Sequence, residues 1–224
     1  MILSISSHVK GKVPGVRISG LSAVTGVPVA TIKFYLREGL VPQGVATSAT
    51  QATYDDRHVQ RLRLVRALVD VAGLSLAEVR RVLERLDDPP TSWHDVLGVA
   101  HGAAMHADPG ADHDLDTAAA RRLVERLGWQ IDPRTPAMAE LQRAMTGIEA
   151  AGIHATPEQL NTYASAAHTI AEDDVSSVPT SSPAAAARYV VLGTLLFEPL
   201  LLALRRLAQE DVSATRFAGV RRPG

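Results

Sequence analysis

The sequence predicts a mainly α protein: an N-terminal winged helix-turn-helix with a small β wing, followed by an all-α C-terminal domain. Three observations lead there. Aromatic residues make up 4% of the 224-residue chain and hydrophobic residues 46%, so the core must be built of Leu, Val and Ala. Leu and Ala favour helices, whereas strands favour β-branched and aromatic side chains. From residue 17 onward, apolar residues recur at spacings of three and four, the period of a helix with one buried face. Charge is also divided. Residues 1–86 hold 12 Lys and Arg against 6 Asp and Glu, and residues 87–224 hold 11 against 18. The front of the chain therefore attracts a phosphate backbone and the rear does not.

Residues 1–16 read as a flexible leader. Its apolar start is too short for a signal segment, and Lys10 and Lys12 follow the apolar residues instead of preceding them. Ile18, Leu21, Ala23 and Val24 form a short apolar helical face, with Ser19 as its expected N-cap. Thr25-Gly26-Val27-Pro28 reads as a tight turn, because Gly26 can turn left-handed and Pro28 suits a helix's first turn. A second short helix over 29–38 is stopped by Gly39. Residues 41–54 lack a helical period and alternate β-branched residues, which predicts a small hairpin or loop. Asp55 caps a helix over 56–72 whose face is Val59, Leu62, Val65, Val69 and Ala72. Ser75 and Glu78 form a capping box for the next helix, buried along Leu76, Val79, Leu83 and Leu86. Pro89-Pro90 ends that helix and closes a DNA-binding domain over 17–88.

Residues 91–212 are expected to form a helical effector-binding and dimerisation domain. Its helices fall at 93–106, 115–127, 136–151, 157–171 and 184–209, the last bent at Pro199. Thr156 and Gln159 make a further capping box. Residues 172–183 read as an exposed polar loop and 213–224 as a flexible tail. Residues 189–204 are strongly apolar, but Glu198 and Pro199 interrupt them. The run also falls short of the roughly 20 apolar residues of a membrane span, so a buried or dimer-forming helix is expected and no membrane. The absence of cysteine excludes disulfides and thiolate metal sites and fits a cytoplasmic protein.

Two short helices joined by a glycine turn make a helix-turn-helix unit. Its second helix presents Thr31, Lys33, Phe34 and Tyr35. Lys33 can neutralise phosphate, Tyr35 can donate to it, and Thr31 can touch a base edge. Arg57, Arg61 and Arg63 add positive charge on the helix after the wing, and Ser19, Val29, Gln51 and Tyr54 complete the candidate DNA-contacting set. Taken alone the pattern is weak, because such helix pairs are common in packing cores. Lys33 and Tyr35 also suit an ordinary solvated face, and Phe34 a core position.

The order of the motifs is more specific. Ile18-Ser19-Gly20-Leu21-Ser22-Ala23-Val24-Thr25-Gly26-Val27 is followed by the run 31–42 through Lys33-Phe34-Tyr35 and Gly39-Leu40-Val41-Pro42. Then come Tyr54-Asp55, the run 61–68 and Ala72-Gly73-Leu74-Ser75-Leu76-Ala77-Glu78-Val79. Over about 70 residues this resembles the DNA-binding domain of the MerR family of regulators. The resemblance implies a homodimer on a near-palindromic operator in double-stranded DNA, distorting the promoter so that RNA polymerase can engage; such specificity comes partly from deforming the duplex. The chain departs from the family in three ways. Lys33-Phe34-Tyr35 stands where the family usually has Arg-Tyr-Tyr. Thr50, Gln51 and Ala52 stand where the wing usually carries Gly-Tyr-Arg. Prolines cut short the region of the family's long dimerising helix, so dimerisation can instead use the last helix, with Leu195, Leu196, Leu200, Leu201 and Leu204.

The rear domain suggests sensing of a small apolar molecule, with Trp93, Trp129, Tyr163 and Phe197 as candidate pocket residues. No nucleophile–base order, phosphate-cradling glycine loop or spaced carboxylate pair points to an enzyme, and no cofactor is expected. His101, His106, Asp108, His113, Asp114 and Asp116 contain metal-ligating side chains, but their spacing gives no tight ligand pair on one helical face, so no metal site is assigned. Two rival readings stay open: a metal-binding regulator or enzyme built on that stretch, and a protein-interaction adaptor that has lost DNA binding.

Overall fold

The computed structural model of the protein describes residues 15–48, 51–89 and 115–217. The chain divides into two compact units, Met1–Arg85 and Leu86–Gly224. The first contains α1 (Ile18–Thr25), α2 (Val29–Arg37), β1 (Val45–Ser48), β2 (Gln51–Thr53), α3 (Asp56–Asp70) and α4 (Leu76–Asp87). α1 packs against both α2 and α3. Leu21, Ile32, Leu40, Leu62, Val65, Leu68 and Val79 are at most 1% exposed and form the core. Burying each such side chain contributes about 1.5–3 kcal/mol.

The expected elements form for local reasons, with some corrections. Gly26 takes φ 71° and ends α1. Around it, the Ser22 hydroxyl donates to the Val27 carbonyl at 2.6 Å and the Thr25 hydroxyl to that of Leu21 at 2.7 Å. These bonds set the turn between α1 and α2. Ser19 is not the N-cap; that position is Arg17, without a side-chain cap. The reason lies in Val16, which exchanges backbone hydrogen bonds of 2.8 Å with Tyr54. Val16 therefore belongs to the fold and not to a leader, and the chain turns helical directly after Arg17. On α3 the buried set is His58, Val59, Leu62, Leu64, Val65 and Leu68, while Val69 and Ala72 are only half-buried. Ser75 and Glu78 cap α4 as expected: the Ser75 amide donates to Glu78 Oε2 at 2.8 Å and the Glu78 amide to Ser75 Oγ at 3.4 Å.

The second unit holds α5 (Ala118–Leu127), α6 (Pro136–Ala150), α7 (Pro157–Ser176) and α8 (Pro183–Phe217). α5 and α6 enclose Ala120, Val124 and Met138, with Trp129, Leu141 and Met145 packed on them. α5 begins three residues later than expected, because Asp116 Oδ1 accepts from the Ala118 amide at 2.9 Å and turns the chain into the helix there. The Thr156–Gln159 capping box is present. The loop expected at 172–183 is helical as far as Ser176. Glu172 lies 3.4 Å from the Nδ1 of His168 four residues earlier, and no Gly or Pro intervenes before Pro179. Likewise residues 213–217 continue α8 and are not tail, since the stretch 210–217 holds no helix breaker. α8 runs through Pro199 without interruption. By length and composition alone it is long and apolar enough to cross a membrane. The expected helix at 93–106 lies outside the described residues.

Candidate nucleic-acid interface

α2 turns two different faces inward and outward. Ile32, Tyr35 and Leu36 are buried, while Lys33 and Arg37 are exposed. Positions 33 and 37 are four apart and so share one side of the helix. Val29, Thr31 and Phe34 are half-buried. The Arg37 guanidinium lies 5.5 Å from the Phe34 ring centroid, within cation–π range, and the Phe34 ring is 5.8 Å from that of Tyr35. Tyr35, expected as a contact on the helix surface, is only 6% exposed, so its ring is core. The turn after α2 folds back on its backbone, where Leu40 and Val41 donate bonds to the Tyr35 carbonyl. Among the described residues no buried side-chain N or O atom lacks a partner. The Tyr35 hydroxyl, which has none there, is therefore at the surface and is the only part of the side chain that can meet a phosphate. Ser19 is exposed in the first turn of α1.

The wing is a two-stranded antiparallel hairpin pairing Val45 with Thr53, Ala46 with Ala52 and Ser48 with Gln51, with an irregularity between Ala46 and Ser48. Gln51 and all of β1 are exposed. The wing root is clamped. Gln43 Nε2 donates to the Leu36 carbonyl at 3.0 Å, tying it to α2. A Cβ on Gly44 would lie 2.8 Å from both the Thr53 carbonyl oxygen and the Tyr54 ring, so only glycine fits. Tyr54 is 7% exposed and packs edge-on to His58 at 5.2 Å. Like Tyr35, its ring is structural.

Asp55 organises the start of α3. Its carboxylate accepts from the Arg57 amide at 3.1 Å. It also accepts from Arg57 Nε and Nη2 at 3.1 and 3.0 Å and lies 2.7 Å from His58 Nδ1. The hydrogen bonds from Arg57, then that from His58, lower its pKa from 3.8 to about 2. Arg57 therefore reaches solvent already paired with a carboxylate, which weakens it as a phosphate contact. Arg61 and Arg63 are two residues apart on one helix and cannot share a face; Arg63 is exposed and Arg61 half-buried.

The sequence reading missed Arg37 and Arg17. Arg37 stands one helical turn after Lys33, a spacing that could have revealed it. Arg17 is exposed at the start of α1, and only the bridge between Val16 and Tyr54 sets it there. Glu38 offers no countercharge to Lys33 because Arg80 Nη2 engages its carbonyl at 3.2 Å and its carboxylate at 3.5 Å.

In the rear unit, Trp93 and the residues His101, His106, Asp108, His113 and Asp114 lie outside the described residues, and Asp116 serves the α5 turn. Among the described residues no group of three or more His, Cys, Asp or Glu could hold a metal ion. A cavity of about 410 Å³ is lined by Pro179, Arg188, Tyr189, Leu192, Leu196 and Phe197, together with Ala185 and Gly193. Phe197 is part of this lining, and Trp129 and Tyr163 are not. Trp129 is occupied by the α5–α6 core and by His168, 5.9 Å away. Tyr163 is 57% exposed and its hydroxyl accepts from Arg205 at 2.9 Å.

Residues 16–86 match the family described as MerR HTH family regulatory protein. The nodulation protein NolA of Bradyrhizobium sp. (strain NC92) is 37% identical over 81 residues, 36% of this chain and 32% of NolA. The HTH-type transcriptional regulator HmrR of Sinorhizobium medicae (strain WSM419) is 28% identical over 128 residues, 56% of this chain and 86% of HmrR. The match thus spans about a third of NolA and most of HmrR. The crystal structure of SCO5550 from Streptomyces coelicolor A3(2), a proposed transcriptional regulator, aligns with a TM-score of 0.62 at 31% identity, covering 93% of this chain and 100% of that one.

Proposed function

Because the chain belongs to the MerR family of helix-turn-helix transcription regulators, whose partner is double-stranded DNA, we propose that it acts as a homodimer on a near-palindromic promoter operator. In this reading α2 enters the major groove and the wing follows the backbone. One observation carries it: the outward side of α2 presents Lys33 and Arg37 without a carboxylate partner among the described residues, while Tyr35 and Ile32 lock the helix into the core. Lys33, Arg37 and the Tyr35 hydroxyl position the helix on phosphate, and Val29 and Thr31 face base edges. RNA polymerase at the promoter is the further partner, and the cytoplasm is the compartment in which such a regulator works. The reading is of a regulator and not an enzyme.

Fluorescence anisotropy with DNA from upstream of the protein's own gene tests this. Binding should prefer one sequence and weaken steeply with salt. The absence of salt-sensitive, sequence-preferring binding would sink this reading and leave the adaptor reading in its place.

We also propose that the rear unit senses a small apolar molecule. The support is the roughly 410 Å³ cavity with its aromatic and leucine lining, a size within the usual range of ligand sites of about 300–1,000 Å³. A thermal-shift screen over a metabolite panel should find a compound that raises the Tm and changes operator affinity. If no compound changes operator affinity, the sensing role is wrong.

A further inference from the structure

Residues 201–217 are exposed without exception, yet the stretch carries Leu201, Leu202, Leu204, Leu207, Val212 and Phe217. The four leucines are 41–60% exposed. Helices in proteins owe their stability mainly to packing of an apolar face, and large contiguous apolar patches mark interaction surfaces. At 100° per residue, Phe197, Leu200, Leu201, Leu204 and Ala208 fall within about 60° of one line along α8. Glu198 and Arg205, seven residues apart, share one flank of that stripe, and Leu207 lies on the other. Glu198 has no hydrogen bond or ion pair among the described residues. Among the described residues Arg205 meets a neutral group, the Tyr163 hydroxyl and ring, and no carboxylate.

The geometry points to a second copy of this chain as the occupant: two α8 helices cross antiparallel, with the two-fold axis between Leu201 and Leu202. The inference rests on the homodimer reading and gives it a surface and a register. A two-fold axis brings each flank against the same flank of the partner, in reversed order. Centred there, Glu198 faces the partner's Arg205, Leu200 faces the partner's Leu204 and Phe197 faces the partner's Leu207. Each contact occurs twice. A parallel pair would set the Glu198–Arg205 flank against the opposite, Leu207-bearing flank of the partner and leave both charges without a countercharge. A bilayer fits poorly, because Arg205, Arg206, Glu210 and Asp211 occupy the exposed half of the helix.

The chain has no cysteine, so introduced cysteines report contacts cleanly in the full-length protein. Leu201→Cys should crosslink to its own copy under mild oxidation. Phe197→Cys alone should not, because the two copies of residue 197 would lie about 14 Å apart along the axis at 1.5 Å per residue. Phe197→Cys mixed with Leu207→Cys should crosslink as a heterodimer. Glu198→Arg and Arg205→Glu should each raise the dimer dissociation constant in sedimentation by about tenfold, the scale of two exposed ion pairs. The double variant Glu198→Arg/Arg205→Glu should restore it, which loss of the Tyr163 contact alone would not allow. A stable dimer in which Phe197→Cys crosslinks to itself, or in which the double variant is no better than either single one, overturns the register and leaves the homodimer standing. A monomer at all concentrations overturns both, as does a chain that sediments with phosphatidylcholine vesicles instead of pairing.

Discussion

Replacing Gly44 by alanine should cost the DNA-binding unit about 1–3 kcal/mol, the usual range for overpacking. The added Cβ would sit 2.8 Å from the Thr53 carbonyl oxygen and 2.8 and 3.0 Å from two atoms of the Tyr54 ring. Ordinary contact begins near 3.4 Å, so a gap of about 0.6 Å must open on two sides at once. Neither side yields easily. The Tyr54 backbone exchanges two 2.8 Å hydrogen bonds with Val16, and its ring is wedged against His58. With a urea m-value near 1 kcal/mol/M for a unit of this size, the unfolding midpoint should fall by about 1 M or more. Amides of the wing should exchange faster, and operator affinity should drop although α2 is untouched. The same substitution at Gly147 should act with the opposite sign. Gly147 is an exposed position inside α6 with nothing within 4 Å of its added Cβ, so helix propensity alone should stabilise by about 0.8–1.0 kcal/mol. An unchanged midpoint and unchanged wing exchange in Gly44→Ala would refute the steric argument.

Lys33→Gln and Arg37→Gln should each lower the slope of log affinity against log salt by about 1.8, because each removes two phosphate contacts from a bound dimer at about 0.9 apiece. Arg57→Gln should change it less, since Asp55 already holds that guanidinium; equal slopes for all three variants would contradict this ranking. Asp55 titrates near 2 in the folded state against an ordinary 3.8, so its stabilising effect is complete above the ordinary value and is lost as pH falls through about 2. Asp55→Asn should therefore flatten the stability profile between pH 5 and 2, as followed by circular dichroism at fixed urea. Ser75→Ala removes both the hydroxyl that caps the Glu78 amide and its bond to the Glu78 carboxylate. It should cost about 1 kcal/mol in urea unfolding, and no loss would mean that the box does not hold α4.

The sequence alone determined what depends on neighbours three or four residues apart. Asp55, Ser75–Glu78 and Thr156–Gln159 were legible as caps because the bonds they make run to backbone amides within one helical turn. Gly26 was legible because a left-handed residue between two helices needs no distant partner. The winged helix-turn-helix followed from these pieces in order. Tertiary structure decided the rest. Tyr35 and Tyr54 look like surface contacts in sequence and are core rings in space, on backbone that is bonded to residues 40–41 and to Val16 respectively. His58 reads as a polar residue on a helix, yet it is buried and completes the Asp55 cap. Arg57 reads as a free cation and is spent on Asp55. The outer half of α8 shows the limit from the other side: its leucines read in sequence as a buried or dimer-forming face, and in a single chain they face solvent. Periodicity records that a face must be buried, but the burying surface can belong to any part of the chain or to another copy. Only the packed structure shows which apolar faces are already covered.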